Sequence, residues 1–144
     1  MDLTIAIPVK NEKNNILEII DSIKKEINIP YEILFIDDLS DDNTFEIIKN
    51  IQNQNREINV VKNEINGLGQ SIKNAIKFSK GKYLCIMMCD GSDDLKDLNS
   101  YYSIIKNDNL DAVFGSRFLK NSKVSDYPKL KFFLNRIFNY FVSL

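Results

Sequence analysis

The sequence predicts an α/β fold built on an open, mainly parallel sheet flanked by helices. Three observations carry this. Five short apolar runs read as strands. The segments between them place apolar residues at helical spacing, giving the order β-α-β-α-β-α-β-α-β. Polar residues collect at the carboxyl ends of the runs, where an open α/β sheet places its crevice.

Taken in order, residues 3 to 9 (LTIAIPV) form a β-rich run ending near Pro8, expected as a central strand. Residues 15 to 27 carry Ile16, Ile20, Ile23 and Ile27 at helical spacing, with Asn14 as cap. After Pro30, a second strand at 31 to 36 (YEILFI) runs into Asp37 and Asp38. Ser40, Asp41 or Asp42 can cap the next helix, whose stripe is Phe45, Ile48 and Ile51 or Gln52. A short strand follows at 58 to 62 (INVVK). Gly67 and Gly69 flank Leu68 before a helix with Ile72, Ala75 and Ile76 on one side, and Gly81 is its expected stop. The apolar run 83 to 89 (YLCIMMC) reads as a buried strand. Asp97 is the expected cap of a helix from Leu98 to Lys106, and 111 to 115 (DAVFG) the expected fifth strand.

The α/β domain is assigned to residues 1–121, and residues 122–144 to the start of an amphipathic, membrane-facing helical segment. There Leu130, Phe133, Leu134, Ile137, Phe138 and Phe141 share a broad helical face, and Lys129, Lys131 and Arg136 add positive charge. A core-facing helix is the other reading of that stripe. The pattern reaches the last residue without a Gly or a polar stop, which predicts a truncated chain.

With 144 residues, 44% apolar and 27% charged, the composition is that of a soluble globular protein. A net charge of −1 supplies no global positive field for nucleic acid. Cys85 and Cys89, spaced C-x3-C with no His in the chain, are too few soft ligands for structural zinc. They read as buried free thiols in a reducing compartment. The N-terminus has no basic region or long apolar segment, so no secretory signal is expected. No apolar run approaches the ~20 residues of a membrane span. The expected location is cytoplasmic, at the cytoplasmic face of a membrane. Without His, acid-base chemistry must use carboxylates, Lys, Tyr or Cys, or need no base.

The strand exits carry the candidate site. Lys10, Asn11 and Glu12 follow the first strand, Asp37 and Asp38 the second, and Gly67-Leu68-Gly69 the third. Asp90, Ser92, Asp93 and Asp94 follow the fourth, and Arg117 the fifth. Each has a plainer reading: a turn cap for Asp37-Asp38 and Asp90, a tight loop for the glycines, a solvated cation for Arg117. Their common rim favours a site. Neither a dinucleotide fingerprint nor a phosphate loop closed by G-K-[ST] is present. Converging carboxylates need a cation between them, and Mg2+ or Mn2+ suits hard oxygen ligands and a diphosphate. Asp37 or Asp38 can accept from a nucleobase N–H or a ribose hydroxyl, and Arg117 can fork onto phosphate.

The chain resembles family 2 of the glycosyltransferases, which have the nucleotide-binding GT-A fold, and within it the dolichyl- or polyprenyl-phosphate sugar transferases. The stretches that carry this are TIAIPVKNEKNNI (4 to 16), IDDLSDDNT (36 to 44), NGLGQSIKNAI (66 to 76), MMCDGSDD (87 to 94) and VFGSRF (113 to 118). The resemblance implies the Rossmann-like nucleotide-binding half of that fold. By it, Pro8 and Val9 line a nucleobase pocket and Glu12 lies near the base or ribose. Asp38 binds the base, Asp37 the ribose side, and Gly69 lies against the nucleotide. Asp90, the second acid of the family's D-x-D, holds Mg2+ or Mn2+ with Ser92, and Arg117 contacts phosphate; Asp90 and Arg117 are the implied catalytic pair. Three departures stand out: Met88 occupies the place of the first D-x-D acid, Lys10 that of a Tyr, and Leu39 that of a Gly.

The implied reaction is inverting transfer of a sugar from a UDP- or GDP-linked donor to a lipid phosphate. An ionised phosphate is already a nucleophile, which fits a chain without His. The alternatives are a truncated nucleotide-binding domain without transferase activity, or transfer to a hydroxyl, which would demand a catalytic carboxylate as base. No nucleic-acid partner is expected.

Overall fold

The computed structural model describes residues 1–115 and 129–142, the side chains of residues 129, 131, 132 and 136 excepted. The chain divides into two compact units, Met1–Leu110 and Asp111–Leu144. The first holds strands β1 (Leu3–Val9), β2 (Tyr31–Asp37), β3 (Ile58–Lys62) and β4 (Tyr83–Ile86). Its helices are α1 (Ile16–Glu26), α2 (Thr44–Gln52), α3 (Leu68–Phe78) and α4 (Leu95–Asn107). The strands form one sheet in the order β3-β2-β1-β4, every pair parallel.

β1 is buried along its whole length because it lies inside the sheet with helices on both faces. Its odd residues Leu3, Ile5, Ile7 and Val9 share a core with Ile33 and Phe35 of β2. α1 closes that core with Ile16, Ile19, Ile20 and Ile23, α2 with Ile48, and α4 with Leu95 and Leu98. On the opposite face Ala6, Leu34 and Ile36 meet Ala75 of α3. Alternate residues of β1 and β2 thus serve the two cores, and α1 meets the first of them along one helical stripe.

The amino ends of the strands are pinned by a buried acid. Glu32 is 1% exposed, yet both its oxygens are used. Oε1 accepts from Thr4 Oγ1 (2.7 Å) and from the Lys80 N–H (2.7 Å), and Oε2 from Asn59 Nδ2 (3.2 Å) with Lys80 Nζ at 3.8 Å. A buried carboxylate is tolerable only when satisfied in this way. It ties β1, β2, β3 and the α3–β4 turn together.

Several local expectations are corrected. Gly81 does not stop α3, which ends at Phe78 with Ser79 as its cap. Gly81 is needed because a Cβ there would collide with the backbone of Leu3 and Thr4, onto whose Oγ1 it donates at 2.8 Å. The buried face of α3 is Ser71 and Ala75, whereas Ile76 is exposed. α1 follows Asn15 and has no side-chain cap. α4 starts three residues earlier than expected, capped by Asp94, which accepts from the Lys96 N–H at 2.9 Å. β4 ends at Ile86, not residue 89, and its last ladder bond runs from the Met87 N–H to the Ala6 carbonyl. Residues 111–115 form no strand, and among the described residues the sheet ends at β4. A strand needs a ladder partner, which a five-residue apolar pattern cannot supply for itself.

The second unit contains α5 (Lys129–Val142). Leu130, Phe133, Leu134, Phe138 and Phe141 on it are each more than half exposed. Among the described residues no helix is long and apolar enough to cross a membrane.

Candidate functional site

The chain steps from β1 outward through β2 to β3, then returns to place β4 on the other side of β1. The loops leaving β1 and β4 therefore diverge, and a crevice opens between their carboxyl ends. An open cleft of about 220 Å3 lies there. The exit of β1 contributes Pro8, Val9, Lys10 and Glu12, and that of β2 contributes Asp38. α3 adds Leu68 and Ser71, and the exit of β4 adds Met88, Cys89 and Asp90.

The loops after β1 and β2 hold each other. The Asn11 N–H donates to Ser40 Oγ (3.0 Å), the Asp41 N–H to Asn11 Oδ1 (3.0 Å), and the Glu12 N–H to Thr44 Oγ1 (3.0 Å). Thr44 Oγ1 in turn donates to Asp42, so that Asp42 both tethers this crossing and serves the start of α2. Glu12 accepts from Asn15 Nδ2 at 2.6 Å, which aligns its carboxylate. At β4, Gly91 turns with φ 69°, and the Ser92 N–H donates to Asp90 Oδ1 at 3.0 Å. Asp93 accepts from the Met88 N–H at 3.1 Å.

Asp38 is 8% exposed and is held from one side. Its Oδ1 accepts from Asn63 Nδ2 (2.7 Å) and from the Gly67 N–H (2.8 Å). That locks the β3–α3 connection onto the end of β2. A carboxylate at the start of α3 also suits the positive end of the helix dipole.

Three carboxylates, Glu12, Asp38 and Asp90, thus face one cleft with Lys10 as its lining cation. The field is felt by Cys89, whose thiol is pushed up to about 12 by burial and then by Glu12 and Asp90. Burial and Asp93 push Cys85 up to about 11. Both thiols are unbridged, and burial together with the neighbouring acids favours their protonated form.

Of the residues singled out from sequence, Pro8, Val9, Glu12, Asp38 and Asp90 come together around the cleft. Asp37 does not line it. Fully buried under the following turn, Asp37 accepts from the Ser40 N–H at 3.3 Å through Oδ2, while Oδ1 has no partner. Gly69 is exposed in the first turn of α3, beside Leu68, which does line the cleft. Ser92 is exposed and reaches the site through its main chain. Arg117 lies outside the described residues. Sequence reasoning missed Ser71 and Asn63. The available signals were the polar residue just past β3 and the i, i+4 pairing of Ser71 with buried Ala75.

A family model for glycosyl transferase family 2 matches residues 4–143. The chain belongs to that family. Among curated relatives, it is 31% identical to the dolichyl-phosphate beta-glucosyltransferase of Dictyostelium discoideum, covering 96% of this chain and 46% of that one. It is 29% identical to the poly(ribitol-phosphate) beta-glucosyltransferase of Bacillus spizizenii, over 92% of this chain and 21% of that one. The chain thus spans less than half the length of these relatives. In fold it is similar to S. aureus TarS 1-349 in complex with UDP, with a TM-score of 0.64 at 22% identity, covering 85% of this chain and 43% of that one.

Proposed function

We propose that this family 2 chain is the donor-binding part of an inverting glycosyltransferase. It would take a UDP- or GDP-linked sugar, and a lipid phosphate of the polyprenyl or dolichyl class would be the acceptor. The observation that carries the reading is the acid-lined cleft at the switch between β1 and β4, lined by Asp38 and Asp90 from the exits of the two strands that flank β1. Pro8 and Val9 would face the base, Asp38 would accept a hydrogen bond from it, and Glu12 would lie near the base or ribose. Asp37, under the turn, would act on the ribose side by holding that turn, and Gly69 would keep the start of α3 open to the nucleotide.

The donor set fits a hard divalent cation only in part. Among the described residues no three acids, Cys or His converge as a protein cage. Mg2+ and Mn2+ do not require one, since they retain waters and take oxygens from a bound diphosphate. Asp90, oriented by the Ser92 N–H, would hold such an ion. When bound, it would supply charge neutralisation for the departing nucleoside diphosphate. Arg117, by family resemblance, would add a guanidinium to the same task. An ionised phosphate acceptor needs no protein base. The exposed apolar residues of α5, with basic neighbours in the sequence, support contact with the cytoplasmic face of a membrane, where a lipid-linked acceptor would lie.

Calorimetric titration with UDP and GDP, with and without Mn2+, is the test. One nucleotide should bind, more tightly with Mn2+, and Asp90→Ala should weaken binding by about ten-fold or more. Absence of binding to either nucleotide by a folded chain would sink the reading. A second reading, a nucleotide-binding domain without transfer, is favoured by Met88, which is exposed in the cleft where the family's first acid would stand. Nucleotide binding without turnover of a donor sugar, with or without Mn2+, would select it.

A further inference from the structure

We propose that Asn63 is a positioning residue that fixes how Asp38 faces the cleft and so sets the class of nucleobase accepted, an inference that rests on the nucleotide reading above. Asn63 is the first residue past β3 and is 2% exposed. Its N–H donates to the Asp37 carbonyl at 2.8 Å, which anchors its backbone to β2. Both ends of its amide are engaged. Nδ2 donates to Asp38 Oδ1 (2.7 Å) and Ser71 Oγ (2.8 Å), and Oδ1 accepts from Asn74 Nδ2 (2.8 Å).

The polarity of this chain of bonds is dictated by its first member. An ionised carboxylate only accepts, so the edge of Asn63 facing Asp38 must be the NH2 group. Its oxygen is then turned to Asn74, which must donate. A second donor, the Gly67 N–H, reaches the same Asp38 oxygen at 2.8 Å. Gly67 has φ 134°, a conformation that side-chain-bearing residues rarely adopt, and this turns its N–H toward Asp38.

Two donors on Oδ1 leave Asp38 one orientation. Its Oδ2 accepts no hydrogen bond from any described residue, and Asp38 lines the cleft. A carboxylate oxygen held in this way reads as an acceptor only. It favours a base that presents a ring N–H, as uracil and guanine do. It opposes cytosine and adenine, whose corresponding ring nitrogen is itself an acceptor. Asn63 touches no ligand in this arrangement and acts through Asp38.

The experiment titrates UDP, GDP, CDP and ADP into the wild-type chain and Asn63→Asp. The substitution keeps the size and the acceptor for Asn74 but turns an oxygen toward Asp38. The wild type should prefer uridine or guanosine diphosphate, and N63D should narrow that preference by about ten-fold. A purely structural role would weaken all four alike or none. A folded N63D chain with the wild-type preference overturns the proposal. Should N63D not fold, Asn63→Ser carries the same expectation, because its hydroxyl is too short to reach Asp38. Without nucleotide, the Gly67 amide should exchange about ten-fold faster in N63D or N63S than in Asn74→Ala, which removes only the outer partner. Equal exchange rates overturn the positioning role even if the wild type binds none of the four nucleotides, a result that by itself sinks only the nucleotide reading.

Discussion

Leu39 has φ 58°, in the left-handed region where a branched side chain crowds the backbone. Its side chain is partly exposed and does not line the cleft, so no packing or ligand contact there requires Leu. Leu39→Gly should therefore raise the unfolding free energy by about 0.5–1 kcal/mol, net of the greater freedom of Gly in the unfolded chain. Urea denaturation would show it as a higher midpoint at unchanged slope. The two thiols give a second residue-scale expectation. Their folded-state values lie above the ordinary value of 9.0, at about 11 for Cys85 and about 12 for Cys89. The folded state thus retains protons that the unfolded state releases. The stabilisation is complete below about pH 9 and is lost as pH rises toward about 12. The thermal midpoint should fall from about pH 9 upward, and Cys89→Ala should flatten that fall. A pH-independent midpoint across this window would contradict it. At this scale, Asp38 and Asp90 were legible in sequence because acids at strand exits are conspicuous. Asn63 was not, because only the packed neighbours reveal that its amide is saturated.

Elements show the same division. The first four α/β alternations were readable because burial imposes a period of two or 3.6 on the residues themselves, whereas the fifth strand expected at 111–115 did not form. The ends were less readable. Asp94 and Asp97 are both acids before a helical stripe, and only burial of Leu95 decides that the helix starts early enough for Asp94 to cap it. Gly81 read as a helix stop, but its requirement comes from β1, far away in sequence. Gly81→Ala should cost about 1–3 kcal/mol, since the contacted atoms are strand backbone and cannot rotate away. Its denaturation midpoint is the measurement, and a wild-type value would mean that the α3–β4 turn shifts freely. The substitution lies at the amino ends of the strands, so nucleotide affinity should not change.

For the whole molecule, the sheet order matters most. It places β4 beside β1, and with that Asp90 opposite Glu12 and Asp38. The second unit carries the remaining expectation. If α5 rests on an anionic membrane, the chain should co-sediment with anionic vesicles and not with neutral ones. Replacing Lys129, Lys131 and Arg136 together by Gln should weaken this by about a hundred-fold. Unchanged sedimentation of the triple variant would remove the membrane contact.

By itself the sequence determined the fold class, the family and the acids at the strand exits. These follow from local periodicity and from short motifs in which neighbours along the chain act together. Only the tertiary structure decided that β4 lies against β1, that Asp37 sits beneath the turn while Asp38 faces the cleft, and that Asn63 holds it. The strand order depends on which strands pair, and the hold on Asp38 on a hydrogen bond between residues about 25 apart, Asp38 and Asn63. Pairing is settled by burying all the helices' apolar faces at once, and no local stretch encodes that choice alone.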